Sequence, residues 1–264
     1  ERIDHALGLL AAAKEAVDPE TIYGRRVQLV ADYVERMAIL RERLTQPREG
    51  PQVILPRREF ADLTIDGKLD DVFWQDIPAR VLVEQSSGEK PAVETTVRMA
   101  WADNGSLILG IRCEEPDGAS ILDAADGGMG IFNGDNIDIL LETPVMDYYQ
   151  IVISPSGEVL DLDRSGLSAH GRFHYGWKSM ATVATHQGDG YWSVEIQLPA
   201  AGADAFDLDQ DFGIAGEMPI EGAPWYLNIG RQRPRADATQ FSTLVSAGER
   251  RFNNRFIRAE LRVE

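Results

Sequence analysis

The chain has 264 residues, 44% of them hydrophobic and 26% charged, a balance that excludes disordered and fibrous classes and supplies apolar side chains for a buried core. Its 26 basic and 43 acidic side chains leave a formal charge of −17, which argues against nucleic acid and anionic membranes as partners. No apolar run approaches the roughly 20 residues of a spanning helix, so no membrane span is expected.

Residues 1–46 are rich in Ala, Leu, Glu and Arg, with apolar residues at helical spacing. One stripe holds Ile3, Leu7, Leu10 and Val17; a second holds Tyr23, Val27, Val30, Val34, Met37 and Leu44. Asp18-Pro19 between them suits a helix start, because Asp can cap free N–H groups and Pro is tolerated in the first turn. The prediction is an antiparallel α-helical hairpin. Two helices alone leave apolar surface open, so the hairpin is expected to pack either on the following domain or, the preferred reading, on preceding sequence as the end of an upstream domain. The first residue is Glu1, and no charged-plus-apolar signal segment follows it. The chain therefore reads as a piece of a longer protein, with any export signal upstream.

Gln46-Pro47-Arg48-Glu49-Gly50-Pro51, followed by Pro56, cannot continue a helix, which places a boundary near residue 50. The hairpin then occupies 1–50 and a second domain 51–264. From there the apolar period changes to 2. Strands are predicted over 93–101, 106–114, 136–142, 148–154, 158–162, 180–186, 191–198, 225–230 and 256–263, separated by Gly, Pro, Asn and Asp turns. Such a series predicts a mainly β fold, an antiparallel β-sandwich. The single cysteine, Cys113, alternates with Leu107, Leu109 and Ile111 and reads as a small core hydrophobe.

Strand parity assigns four tryptophans to the core: Trp101 with Val97 and Met99, Trp192 with Val194 and Ile196, Trp225 with Leu227 and Ile229, and Trp74 as a plug behind Ile65 and Phe73. Trp177 has no apolar periodicity around it. It is either a platform for a ligand or a packed loop anchor. Parity also sets Asp138 opposite Ile137, Ile139 and Leu141, and Gln150 opposite Tyr149, Ile151 and Ile153. A hairpin would bring Asp138 and Gln150 side by side, as a ligand site or as part of a solvated outer face.

Catalytic patterns are thin. There is no nucleophile elbow or phosphate loop, and Gly127-Gly128-Met129-Gly130 lacks the context of a dinucleotide fingerprint. His170 and His174 stand at a metal-binding interval for a helix, but Gly171 and Gly176 argue against a helix there. Carboxylates are too abundant for any pair to mark glycoside hydrolysis.

Ile65-Asp66-Gly67 followed by Asp70, Asp71 and Trp74 resembles the opening signature of carbohydrate-binding module family 9. Further landmarks come in the family's order: Val97 to Asp103, Gly134-Asp135-Asn136-Ile137-Asp138-Ile139, Tyr148 to Gly157, Trp192 to Pro199, and Asn228-Ile229-Gly230-Arg231. The resemblance implies a non-catalytic sandwich that holds polysaccharide or oligosaccharide between two aromatic side chains, with structural calcium common. A pyranose offers apolar C–H faces to rings, while its hydroxyls need planar donors and acceptors at the edge. Carried over by position, Phe132 and Phe241 stand for the aromatics, Asp138 for the acid and Arg231 for the arginine after the late strand. The family usually has Trp and Glu where this chain has Phe132 and Asp138. Glu114, Asp117, Asp123, Asp126 and Asp135 are the candidate calcium ligands.

The hairpin is similar to the helical end of bacterial proteins with an α-glucuronidase-like architecture. That implies an accessory domain of an extracellular, cell-surface or periplasmic glycan-processing protein, attached to a glycoside hydrolase-like parent and not itself an enzyme. Two other readings are a structural domain with a degenerate site and a haem-binding electron-transfer domain using His170, His174 or Met180.

Overall fold

A computed structural model describes residues 2–45, 50–116, 121–124, 128–144, 149–163, 177–201, 213–248 and 258–263. The chain divides into two compact units, one of residues 1–47 with 165–172 and one of 48–164 with 173–264.

The first unit contains α1 (Arg2–Ala16) and α2 (Ile22–Thr45). Thr21, not Asp18, caps α2: its Oγ1 accepts the Gly24 N–H at 3.1 Å, while Asp18 Oδ1 closes the preceding turn on the Glu20 N–H at 2.9 Å. The inward stripe of α2 also differs from the predicted one. Gly24 and Ala31 are buried and Val27 and Val34 half-buried, whereas Tyr23 and Val30 are exposed. A Cβ on Gly24 would stand 2.1 Å from the Asp18 carbonyl oxygen, so this glycine makes room for the turn between the helices. No helix among the described residues is long and apolar enough to cross a membrane.

The second unit is a β-sandwich. Its strands are β1 (Gln52–Leu55), β2 (Arg57–Arg58), β3 (Arg80–Val81), β4 (Val83–Glu84), β5 (Thr95–Ala102), β6 (Ser106–Glu114), β7 (Asn136–Glu142), β8 (Tyr149–Ile153), β9 (Val159–Asp163), β10 (Thr182–Gly188), β11 (Tyr191–Pro199), β12 (Trp225–Arg233), β13 (Gln240–Thr243) and β14 (Ala259–Val263). Among the described residues one sheet runs β1-β14-β12-β7-β8-β9, with β13 between β12 and β4, and the other runs β10-β11-β6-β5-β2, with β3 on β5. Pairing is antiparallel except for β1 with β14 and β2 with β5. All nine predicted strands are present; β1 to β4 and β13, of two to four residues each, were not predicted.

The alternating apolar residues meet between the sheets as the pattern requires. Trp101 and Trp225 pack edge to face, ring centres 5.3 Å apart, and Trp192 and Cys113 lie in the same core. Burial pushes the Cys113 thiol up to about 11, which leaves it an inert hydrophobe at neutral pH. Trp74 belongs to a smaller cluster with Phe73, Ile77, Ala100 and Ile108 on the outer face of the second sheet. That is where the Ile65-Asp66-Gly67 segment lies. Glu195 of β11, fully buried, accepts the N–H groups of Asp66 and Gly67, each at 2.8 Å, and the Trp74 indole N–H at 2.7 Å.

Candidate functional site

β7 places Asp138 and β8 places Gln150 on the side of the first sheet turned away from the core. Gln150 pairs across the ladder with Leu140, and Asp138 with Val152. The Gln150 amide donates to Asp138 Oδ2 at 2.7 Å, the juxtaposition that strand parity predicted. The solvated version of this face is overturned, because Leu140, Val152, Leu162 and Asn228 beside the pair are fully buried. A hydrogen-bonded carboxylate and amide inside a covered surface are held in one orientation rather than sampling solvent.

Phe132 sits on a short 3-10 turn, Met129–Asn133, just before β7. Buried Ile131 anchors this turn, and two amides hold its carbonyls. Asn136 Nδ2 donates to the Ile131 and Gly134 oxygens, each at 3.1 Å, and Gln232 Nε2 donates to the Phe132 oxygen at 2.5 Å. Gly134 is required here, since a Cβ would stand 2.5 Å from the Leu122 carbonyl oxygen. Phe132 is half-buried. Gln232 on β12 is also the ladder partner of Phe241 on β13, so one residue adjoins both phenylalanines. Phe241 is 41% exposed.

Arg231 is turned the other way. It shares parity with Trp225, Leu227 and Ile229, is 2% exposed, and reaches across to the opposite sheet. There Nη1 donates to Thr95 Oγ1 and the Glu114 carbonyl, each at 3.0 Å, and Nη2 to Glu115 at 3.2 Å. Glu115, fully buried, also takes a two-pronged contact from Arg233 at 2.8 and 2.6 Å and a hydrogen bond from Arg235 at 2.5 Å. Arg235 continues to Asp135 at 2.8 Å. Burial pushes the Glu115 carboxyl up, but the hydrogen bonds from Arg233 and the charges of the three arginines outweigh it, and the net direction is below the ordinary carboxylate range.

Trp177 takes the packed alternative. It is 3% exposed, stacks on Tyr149 with ring centres 4.4 Å apart, and donates from its indole N–H to the Gly213 carbonyl at 2.9 Å. His170 and His174 lie outside the described residues; Met180 is 57% exposed with a left-handed φ of 57°. Of the candidate calcium ligands, Asp117 and Asp126 also lie outside them. Glu114 holds Arg112 at 2.6 Å, and Asp135 holds Arg235 and the Leu122 N–H. Among the described residues no three His, Cys, Asp or Glu side chains converge as a metal site.

The structure thus groups Phe132 and Phe241 around Gln232, joins Asp138 to Gln150 on the same side of the sheet, and sets Arg231 and Trp177 inside. No family model matches the chain, and no curated protein matches it in sequence. Solved structures do superpose on it. A family 9 carbohydrate-binding module from Caldicellulosiruptor kristjanssonii in complex with cellotriose gives a TM-score of 0.54 at 12% identity, over 81% of this chain and 93% of that one. The structure of a family 9 module from that organism in complex with glucose gives 0.56 at 11% identity, over 81% and 95%. A candidate carbohydrate-binding protein from Bacteroides uniformis ATCC 8492 gives 0.61 at 16%, over 81% and 99%. The sandwich has the family 9 fold. At such identities the likeness is one of architecture.

Two acidic residues of this family 9-like sandwich, Glu115 and Glu195, were not singled out from the sequence. The signal for Glu115 was present in its partners: Arg231, Arg233 and Arg235 alternate in phase with the core residues of β12, and a buried arginine row demands a buried acid. Glu195 had no such signal, because its donors lie more than a hundred positions earlier in the chain.

Proposed function

We propose that the sandwich is a non-catalytic carbohydrate-binding module, an accessory domain of an extracellular or surface glycan-processing protein. The observation that carries the reading is the position of Gln232, bonded to the Phe132 carbonyl and paired across the ladder with Phe241. Two phenylalanines on either side of one amide would offer apolar faces to a pyranose, and because the Gln232 N–H groups are held by the Phe132 and Gly134 carbonyls, its Oε1 is the atom that would accept from hydroxyls. Asp138 and Gln150 lie on the same side of the sheet, engaged with each other beneath a covered surface. The structures in complex with cellotriose and glucose support a glucan or a related neutral glycan as ligand.

Calorimetry with glucose, cellotriose and a panel of other oligosaccharides tests the proposal. Binding at millimolar strength, about −4 kcal/mol, is expected of an open site. Phe132→Ala and Phe241→Ala should each weaken it about tenfold or more, the loss of about 1.4 kcal/mol or more of ring contact. No heat with any sugar, or wild-type binding by both variants, refutes it.

A further inference from the structure

On the inward side of β12 and β13 lies a cavity of about 390 Å3, within the range of about 300–1,000 Å3 typical of small-ligand sites. Its floor is polar and buried, formed by Arg231, Arg233 and Ser242, while exposed Ala92, Gln240 and Phe241 stand at its rim. Cross-strand partners share a face of the sheet: Gln240 pairs with Arg233 and Ser242 with Arg231, whereas Phe241 pairs with Gln232 on the outer side. The cavity and the ring pair therefore lie on opposite sides of β13, and Phe241 borders both.

The wall is matched to an uncharged ligand. The Arg231 and Arg233 guanidiniums both engage buried Glu115, at 3.2 and 2.6 Å, and Glu84 adds a second carboxylate, so two cations meet two anions. The Ser87 and Ser86 N–H groups, 2.6 and 2.9 Å from Oε2, hold the Glu84 carboxyl below its usual range and keep it an ionised acceptor. Gln240 Oε1 accepts from Arg233 at 3.3 Å, which leaves the amide N–H groups as donors. Pro91, Val93 and Phe241 give the same wall apolar surface. The wall is also tied in place. The Gln85 N–H donates to the Phe241 carbonyl at 3.1 Å, and Ser246 Oγ and the Ala247 N–H donate to the Gln85 carbonyl at 2.9 and 3.0 Å. A fixed cavity with amide, hydroxyl and carboxylate groups beside apolar surface suits the C–H faces and hydroxyl edges of a sugar, and it has no surplus charge to hold an ion.

We infer that this cavity takes one neutral sugar unit, carried as a single-residue branch on a glycan whose main chain lies against the ring pair. The inference rests on sugar binding at that pair. The next unit of a linear chain continues along the outer side of the sheet, whereas a branch leaves the chain axis, passes Phe241 and enters.

Calorimetric titration of the full chain with cellotetraose and with the xyloglucan oligosaccharide of the same backbone, which differ only in single xylose branches, tests it. Xylotetraose with and without an arabinose branch makes a second matched pair. In at least one pair the branched sugar should bind about tenfold tighter, as expected of one or two neutral hydrogen bonds, and by the same margin at low and high salt. Ala92→Trp fills the rim and should close the margin; Gln240→Leu removes the amide donors and should narrow it, each with an unchanged melting temperature. Equal binding within both pairs, a margin left at full size by either variant, or one that fades with salt overturns the inference. Linear-chain binding that is lost in the Phe→Ala variants while both pairs bind equally leaves the ring pair standing without the branch, whereas no heat with any of these sugars removes both readings.

Discussion

At the scale of single residues, Glu195 explains why the Ile65-Asp66-Gly67 to Trp74 signature exists. Three donors from that segment converge on one buried carboxylate, and Ser193 Oγ donates to the Gly67 carbonyl at 2.5 Å. Gly67 has φ +87°, and a Cβ there would lie 2.6 Å from the Thr185 carbonyl carbon, so no other residue fits. The signature is thus a clasp for the outer face of the second sheet. Glu195→Ala leaves three buried donors without their acceptor and should cost about 3 kcal/mol or more, read from urea unfolding. A loss below about 0.5 kcal/mol, the size of an ordinary surface change, would contradict this role. The motif was legible in the sequence, but its acceptor was not, because a carboxylate on the outward parity of a strand looks like any solvated one.

At the scale of elements, β12 changes character along its length. Its first half presents Trp225, Leu227 and Ile229 to the core, and its second half presents Arg231 and Arg233 with the same parity. The sequence pattern ended this strand at Gly230, since arginine at a core position reads as the start of a loop; the structure continues it to Arg233 because Glu115 and the facing carbonyls accept every turn of the alternation. Acid should undo that arrangement. The folded Glu115 carboxyl titrates below its unfolded value near 4.3, so between the two the unfolded chain binds more protons. Stability contributed by Glu115 is present above the unfolded value and lost as pH falls through the folded one. The melting temperature should therefore fall on acidification below about pH 4.3, and Glu115→Gln should flatten that limb while lowering stability at pH 7. An identical acid limb in the variant would show that other carboxylates set it. The short strands β1 to β4 and β13 escaped the sequence reading for a simpler reason: two to four residues beside prolines and turns carry too little alternation to register.

At the scale of the whole molecule, the change of apolar period near residue 50 coincides with the passage from helices to strands, and the alternation of nine runs was enough to give the sandwich its strands. Which loops meet was not legible. Phe132 and Phe241 are brought to Gln232 by the order of strands in the sheet, a long-range property that no local pattern encodes. The sandwich holds its own core of buried apolar residues, whereas the hairpin interior rests on Gly24, Ala31 and half-buried valines. A chain of residues 48–264 should accordingly unfold in one cooperative transition and keep its sugar affinity within twofold, checked by calorimetric melting and titration. Failure of that fragment to fold would mean that the helical unit contributes to the core.

All five tryptophans are enclosed, the most accessible being Trp74 at 5%, and the rings proposed to meet sugar are phenylalanines. Indole emission from this protein should therefore be blue and deaf to sugar, yet shift to long wavelength when the sheets part. A single cuvette can then report loss of structure without contamination from occupancy, and an optical change on adding glycan would itself signal that the sandwich had opened.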